Sequence, residues 1–493
     1  MILLFSIALP IILIYLLHKK STKTNLPPLV PGLPFIGNLH QLSAAPLLHI
    51  YLSHLSKLHG PLFRLNLGSN PVIVISSAKL AEEVLKHQDS AFCSRPELVP
   101  QRRLSYNFAD MAFAPYGSHW REVRRIAATH LLSPPKVKSF RAVREDEVAR
   151  MVARIARCAS SSPPRAVNLS EAAMGLTTTL ICRIGFGRRY EEQGTELRRF
   201  QELLTELRQL LTAFFVSDYF PALSWVDRAT GLMKRLDCAF EKLDSFYQEL
   251  IDEHLRTEGV DDDDEDILGM QIKLELNSNK PTNWDRVKAL LMDLFLGGTD
   301  SSAASIVWIM TALMKAPHIM KKVQTEIRNA VGNKAKVDED DLPTLPYLKA
   351  VINETFRLYT PVPMLVPRET TQKCVLGGYE IQPKTTVYVN VWAITRDPEC
   401  WKTSPEEFLP ERFYGSDMDV KGKDFGLIPF GSGRRICPGM FMGLANVELA
   451  VANLLFSFDW EVAQGTELDT DALAGLIMHK KNPLLLLPKQ YKL

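Results

Sequence analysis

The chain has 493 residues, 46% of them hydrophobic and 23% charged, with 58 basic against 56 acidic side chains. A formal net charge of +2 offers no basic excess for binding nucleic acid. Seven cysteines, odd in number and scattered, argue against a disulfide framework and for a reducing compartment.

Residues 2–17 are almost wholly apolar and are followed by His18, Lys19, Lys20 and Lys23. At about 1.5 Å per residue such a run barely spans a bilayer core of roughly 30 Å. The positive charge comes after the run and no small-residue cleavage site follows, so residues 1–20 read as an uncleaved transmembrane anchor. The positive-inside rule leaves the N-terminus in the lumen and the body in the cytosol. The triplets Asn168-Leu-Ser and Asn353-Glu-Thr then stay unglycosylated. Residues 21–38, dense in proline and glycine from Asn25 onward, read as a semi-rigid hinge, and 39–493 as one large domain.

Leu62–Leu67 and Val72–Ile75 read as two strands joined by Gly68-Ser69-Asn70-Pro71. Trp120 and Arg124 stand four apart on a predicted helix, hence on one face. An indole N–H and a guanidinium only donate, which suits a carboxylate. Residues 145–258 alternate apolar and charged at helical spacing, and the acidic run 261–266 reads as a solvated loop.

The spacing predicts one long helix over 282–315, capped by Thr282 and ended before Pro317. Its apolar middle is interrupted by Gly297-Gly298-Thr299-Asp300-Ser301-Ser302. Two interior glycines cost about 1 kcal/mol each against alanine, so the run predicts a local opening for a small ligand and water. Glu354 and Arg357 share a helix face, but Glu122/Arg125, Glu147/Arg150, Glu196/Arg199 and Glu253/Arg256 repeat that spacing. Only the place of Glu354 and Arg357, between the predicted long helix and Cys437, sets them apart. Strand-like segments follow near 375–381 and 386–391, and again at the C-terminal end.

The most informative stretch is Phe430–Gly439, Phe-Gly-Ser-Gly-Arg-Arg-Ile-Cys-Pro-Gly. Gly431 and Gly433 permit a sharp turn, and Pro438 suits the first residue of an apolar helix over 440–458. A thiol there meets helix N–H groups and the charges of Arg434 and Arg435, which favour a thiolate, a soft metal ligand.

Phe430, Gly431, Gly433, Arg435, Cys437 and Gly439 match the haem-binding pattern of the cytochrome P-450 superfamily. With Gly-Thr-Asp-Ser-Ser, Glu-x-x-Arg and Pro-Glu-Arg-Phe in the family's order, the chain resembles its plant microsomal branch of specialised metabolism. The resemblance implies a mainly α fold with a small β region. It implies haem b with Cys437 as axial thiolate, and Trp120, Arg124, Arg368 and Arg435 around the haem carboxylates. Asp300 and Ser301 are then the expected proton relay. Gly297 and Ser301 depart from the family's usual alanine and threonine; serine keeps the hydroxyl but loses the methyl that restricts it. The implied reaction is monooxygenation of a small apolar metabolite (terpenoid, phenylpropanoid, alkaloid or aldoxime) with O2. No Gly-x-Gly-x-x-Gly fingerprint is present, so electrons are expected from NADPH through a partner reductase, at the endoplasmic reticulum membrane. The alternatives are a haem-thiolate isomerase or dehydratase needing no reductase, and a non-enzymatic haem protein. The expected substrate walls are 104–113, 214–220, 294–301, 362–366 and 474–477.

Overall fold

The computed structural model describes residues 25–190, 194–256, 266–278 and 281–491. The expected anchor over 1–20 and the acidic run up to residue 265 lie outside these. Asp266, at the end of that run, caps a helix by accepting from Gly269 N–H at 2.8 Å.

The proline-rich segment does not run free. Val30 N–H donates to Arg64 O at 3.1 Å and Arg64 N–H to Pro28 O at 2.8 Å, while Asn38 Oδ1 accepts from Asn66 N–H at 2.9 Å. Proline lacks an N–H but keeps its carbonyl, so Pro28 still serves as an acceptor.

The described strands are β1 (Leu62–Leu67), β2 (Asn70–Ile75), β3 (Val167–Asn168), β4 (Arg368–Glu369), β5 (Cys374–Leu376), β6 (Tyr379–Ile381), β7 (Thr386–Val389), β8 (Phe458–Val462) and β9 (Leu485–Gln490). They form sheets ordered β1-β2-β7-β4, β3-β9-β8 and β5-β6. β2 starts two residues earlier than its apolar run because Asn70 pairs with Leu67 across the turn. It then pairs in parallel with β7, which comes some 300 residues later in the chain.

The helices that build the site are α1 (Ser118–Ile126), α2 (Arg141–Ala159), α3 (Leu169–Phe186), α4 (Thr195–Leu211), α5 (Leu232–Arg256), α6 (Ile267–Leu276), α7 (Trp284–Gly298), α8 (Asp300–Lys315), α9 (Pro346–Leu358) and α10 (Met440–Ser457). α8 packs against α3, α9 and α10, and nearly every α8 residue from Ser302 to Leu313 is buried. The expected single helix over 282–315 is therefore two, meeting at Thr299. Its cap is Asn283 rather than Thr282, because the Asn283 side chain accepts from Arg286 N–H at 3.1 Å. Thr299 Oγ1 bonds Phe295 O and Ser301 Oγ bonds Gly297 O, both at 2.8 Å. Hydroxyl bonds to the carbonyl four residues back bend a helix, and here they coincide with two glycines. Among the described residues α10 is the helix long and apolar enough to cross a membrane, but 67% of it is buried inside the protein, which makes it a core helix.

Glu354 and Arg357 on α9 are fully buried and bidentate, with Nε to Oε2 at 2.7 Å and Nη2 to Oε1 at 2.8 Å. Arg412 Nε reaches Glu354 Oε1 at 3.4 Å, and Arg357 also holds the carbonyls of Thr395, Pro405 and Glu407. The same spacing on α2 makes no such pair: Glu147 binds Arg183 and Arg189, while Arg150 turns to Asp146.

Candidate active site

Residues 430–439 fold as a tight loop ahead of α10. Gly431 and Gly433 both have φ of +71°, and a Cβ on Gly433 would stand 2.1 Å from Leu85 O. Only glycine fits there. Cys437 N–H closes the loop onto Phe430 O at 2.9 Å, and Ser432 Oγ ties it to Gly422 O at 2.6 Å. Cys437 is only partly buried because it opens on an internal cavity of about 330 Å³.

The helix begins at Met440, as the apolar run predicts, and the sulfur sits just ahead of it. The electrostatics follow. Burial pushes the Cys437 thiol up, and the Gly439 peptide N–H and the Arg124 guanidinium pull the other way without overcoming it. A metal cation bound at the sulfur would favour the expected thiolate.

Trp120, Arg124, Arg368 and Arg435 all line this cavity, as expected, and the sequence reading missed a fifth donor, Arg95. Arg95 gives Nε to Ala112 O at 2.9 Å and Nη1 to Val366 O and Pro367 O at 2.6 and 2.8 Å. Arg435 donates to the carbonyls of Cys93, Met111 and Ala114, and stacks 4.2 Å from the Trp120 ring. Arg124 donates to Ile436 O at 2.7 Å and Trp120 Nε1 to Met111 O at 3.0 Å. Arg368 alone has a carboxylate on it, Asp89 at 2.9 Å, and Asp89 also receives the exposed Arg434 at 2.8 Å. Burial lowers the pKa of Arg95, Arg124 and Arg368, and holds Arg435 down to about 10. Arg435 is thus turned inward, onto the cavity wall. A cluster of desolvated guanidinium groups held mostly by carbonyls fits an anionic ligand, and haem carries two carboxylates. The cavity, the sulfur and the donors together fit haem. A lone Arg before Pro96 carries no periodic or motif signal, which is why Arg95 was missed.

Opposite the loop, Gly297, Gly298, Ser301, Ser302 and Ser305 line the cavity. Nothing lies within 4 Å of the place a Gly297 Cβ would occupy, whereas a Cβ on Gly298 would meet Ile181 at 2.6 Å. Gly297 therefore leaves open space and Gly298 lets α3 approach. Asp300 is buried but does not line the cavity. Its Oδ1 is ion-paired with Arg208 of α4, and its Oδ2 lies 3.9 Å from His479 Nε2. Burial holds His479 below the usual imidazole range. Neither partner was singled out from the sequence, since both come from segments distant from Asp300.

Most of the expected walls meet here, through Met111–Phe113, Leu294, Leu296, Gly297, Gly298, Ser301, Val362, Leu365, Val366, Leu476 and Ile477. Segment 214–220 does not. Phe214 is exposed and stacks on Tyr219 with ring centroids 4.9 Å apart, and Leu211 of α4 takes the place in the wall.

Residues 27–487 match the family model for cytochrome P450. A 5-OH-xanthotoxin synthase of Ammi majus is 46% identical, over 99% of this chain and 98% of its own length. A 6,7,8-trihydroxycoumarin synthase of Pastinaca sativa is also 46% identical, over 98% of each. A zebra fish cytochrome P450 solved with progesterone has a TM-score of 0.78 at 25% identity, covering 90% of this chain and 99% of that one.

Proposed function

The chain belongs to the cytochrome P450 family and is a haem monooxygenase of plant specialised metabolism, and from that premise we propose that it hydroxylates a flat, oxygenated aromatic substrate of the coumarin class. The family implies haem b with a thiolate ligand, O2 as co-substrate, and electrons from an NADPH-dependent reductase. Relatives named for hydroxylated coumarins, similar over nearly the whole chain, favour this substrate class over terpenoids, alkaloids and aldoximes. They also set aside the isomerase and carrier readings. The observation that carries the assignment of the site is Cys437 opening on the same apolar cavity as the Gly297–Ser302 gap and four desolvated arginines.

Cys437 would hold the iron, and Trp120, Arg95, Arg124, Arg368 and Arg435, which line the cavity, would surround the haem carboxylates. Haem supplies the activation of O2 and the oxygen transfer. The chain supplies the rest. Leu294, Val362, Val366 and Ile477 exclude water and orient an apolar ring. Ser301 Oγ, now donating to Gly297 O, presents a hydroxyl at the open gap. Asp300 would bring protons towards it from the Arg208 and His479 side. The separation of His479 from Asp300 exceeds a hydrogen bond and suits a bridging water.

Asp300→Asn is expected to slow product formation by about 10²–10⁴-fold, the usual worth of a general acid, with haem content unchanged. Single-turnover product formation in H2O and D2O measures it. Unaltered turnover removes Asp300 from the relay.

Membrane association goes with the family. The finer proposal is a single-pass anchor over 1–20 in the endoplasmic reticulum, hinge residues 21–38, and a cytosolic body. Supporting it, Leu33, Phe35 and Ile36 are exposed close behind the anchor, and Gly68 and Ser69 bridge them to Tyr219, next to exposed Leu223 and Trp225. Such a patch, with Phe35 at 65% and Trp225 at 61% exposure, suits an apolar surface.

The substrate assignment is tested by incubating the protein with reductase, NADPH, O2 and a panel of coumarins, terpenoids, alkaloids and aldoximes. A hydroxylated coumarin, formed only with NADPH and reductase, is the expected product. Preference for another class, or turnover without reductase, overturns it.

A further inference from the structure

Two carboxyl groups beside the cavity take no part in these steps. Asp293 comes from α7 and lines the cavity wall, and Asp110 lies on the loop before α1, fully buried. Each holds one loop amide with Oδ2: Asp293 accepts from Met111 N–H and Asp110 from Phe113 N–H, both at 2.7 Å. The two remaining oxygens, Oδ1 of each, are buried without a donor. The side chains are within hydrogen-bonding reach of one another. Two ionised carboxylates sealed together repel strongly, whereas a single proton between them satisfies both orphaned oxygens.

The surroundings decide where that proton rests. Burial pushes the Asp110 carboxyl up to about 6, while the Phe113 N–H and the Arg435 and Arg95 guanidinium groups favour its charge. Asp293 faces Asp110, the Met111 and Ala112 amides, and the Tyr247 ring of α5. Burial and the Asp110 charge hold its carboxyl well above the usual range. The acid is therefore Asp293 and the carboxylate Asp110.

The Met111 peptide is where the pair acts. Its N–H is held by Asp293, while its carbonyl accepts from Trp120 Nε1 and, at 3.2 Å, from Arg435 Nη1. Met111, Ala112 and Phe113 line the cavity. One peptide thus links α7, the substrate wall and two of the donors assigned to the haem carboxylates. We propose that Asp110 and Asp293 share one proton as an acid–carboxylate pair, and that this pair is a positioning device seating residues 110–113 against both substrate and haem. The role in positioning rests on the monooxygenase reading of the cavity; the shared proton does not.

The test uses the full-length holoenzyme with Asp293→Asn and Asp293→Leu. An asparagine amide keeps the oxygen that accepts Met111 N–H and offers its NH2 to Asp110, so it imitates the protonated acid. Infrared spectroscopy in H2O and D2O is expected to show the carbonyl stretch of a protonated carboxylic acid in the parent protein, lost in Asp293→Asn. The dissociation constant of 4-phenylimidazole, read from its haem difference spectrum, is expected to stay within about threefold in Asp293→Asn and to weaken about tenfold in Asp293→Leu, the cost of orphaned buried donors. Amide exchange over 110–113 should quicken in Asp293→Leu alone. Should the leucine variant lose its fold, the infrared band and the exchange of the asparagine variant decide the matter. No acid band in the parent protein, or a band untouched in Asp293→Asn, overturns the shared proton. Binding and loop exchange that worsen as much with asparagine as with leucine overturn the positioning role. Neither the infrared nor the exchange arm needs turnover, so they stand even if no coumarin is a substrate.

Discussion

Cys437→Ser is expected to abolish product formation and to remove the red-shifted Soret band of the reduced, carbon monoxide-bound protein, while the chain stays folded. The replacement is nearly isosteric, and the loop is closed by the backbone, Cys437 N–H to Phe430 O, not by the sulfur. Geometry therefore survives and only the donor atom changes. A serine hydroxyl is a hard, weak donor that does not ionise at neutral pH, whereas the Cys437 thiolate would be the soft, electron-donating ligand that haem-based oxygen activation needs. Losing the axial ligand itself should exceed the roughly 10–100-fold that losing an outer-shell partner costs. The site makes the demand sharper, because burial disfavours the free thiolate and the nearby positive groups offset it only in part. The difference spectrum of the reduced protein with and without carbon monoxide, taken beside circular dichroism, checks this. A red-shifted band that persists in the folded variant would remove Cys437 from the axial position.

What the sequence made legible was whatever is local in the chain. The Phe430–Gly439 loop, the strand pair at Leu62–Leu67 and Asn70–Ile75, and the glycine gap at Gly297–Gly298 each follow from residues within a turn or two of one another. Two positive-φ glycines and a cysteine are a short-range statement about backbone geometry. What stayed hidden depends on elements far apart in sequence. Arg208 and His479 reach Asp300 from 92 and 179 residues away, and nothing in their own neighbourhoods marks them. Arg95 belongs to no motif, and only the three peptide carbonyls and the cavity around it mark it as a site residue. The i, i+3 spacing of Glu and Arg shows the converse limit. It recurs along the chain, yet Arg150 ignores Glu147 for Asp146, because the neighbours that α2 meets decide the pairing. A helix start just after Cys437 predicts a stabilised thiolate, and what the local pattern does not show is the burial that outweighs it.

The network at Glu354 and Arg357 yields the largest expected loss of stability. Arg357→Leu should cost about 3–5 kcal/mol, because it leaves Glu354 as an uncompensated buried carboxylate with only the Leu409 N–H and Arg412 still on it. Against a total of about 5–15 kcal/mol for a folded protein, that approaches unfolding at working temperature. Glu354→Gln should cost less. The amide oxygen can still accept from Arg357 and Leu409, and Arg357 keeps its carbonyl partners at Thr395, Pro405 and Glu407 and its place over the Trp401 ring, 5.0 Å from the centroid. Thermal unfolding, followed by circular dichroism and haem absorbance together, ranks the two variants. Equal and small shifts, below about 1 kcal/mol, would show the pair to be no more than a surface-like salt bridge. The haem signal carries the functional half of the argument. Arg357 ties α9, itself packed on α8, to the segment 395–407 that feeds the Cys437 loop. Cutting it frees the loop side of the cavity from the α8 side, so haem release should begin below the temperature at which helical structure melts. In the parent protein the two events should coincide, since the same buried charges hold both walls of the site.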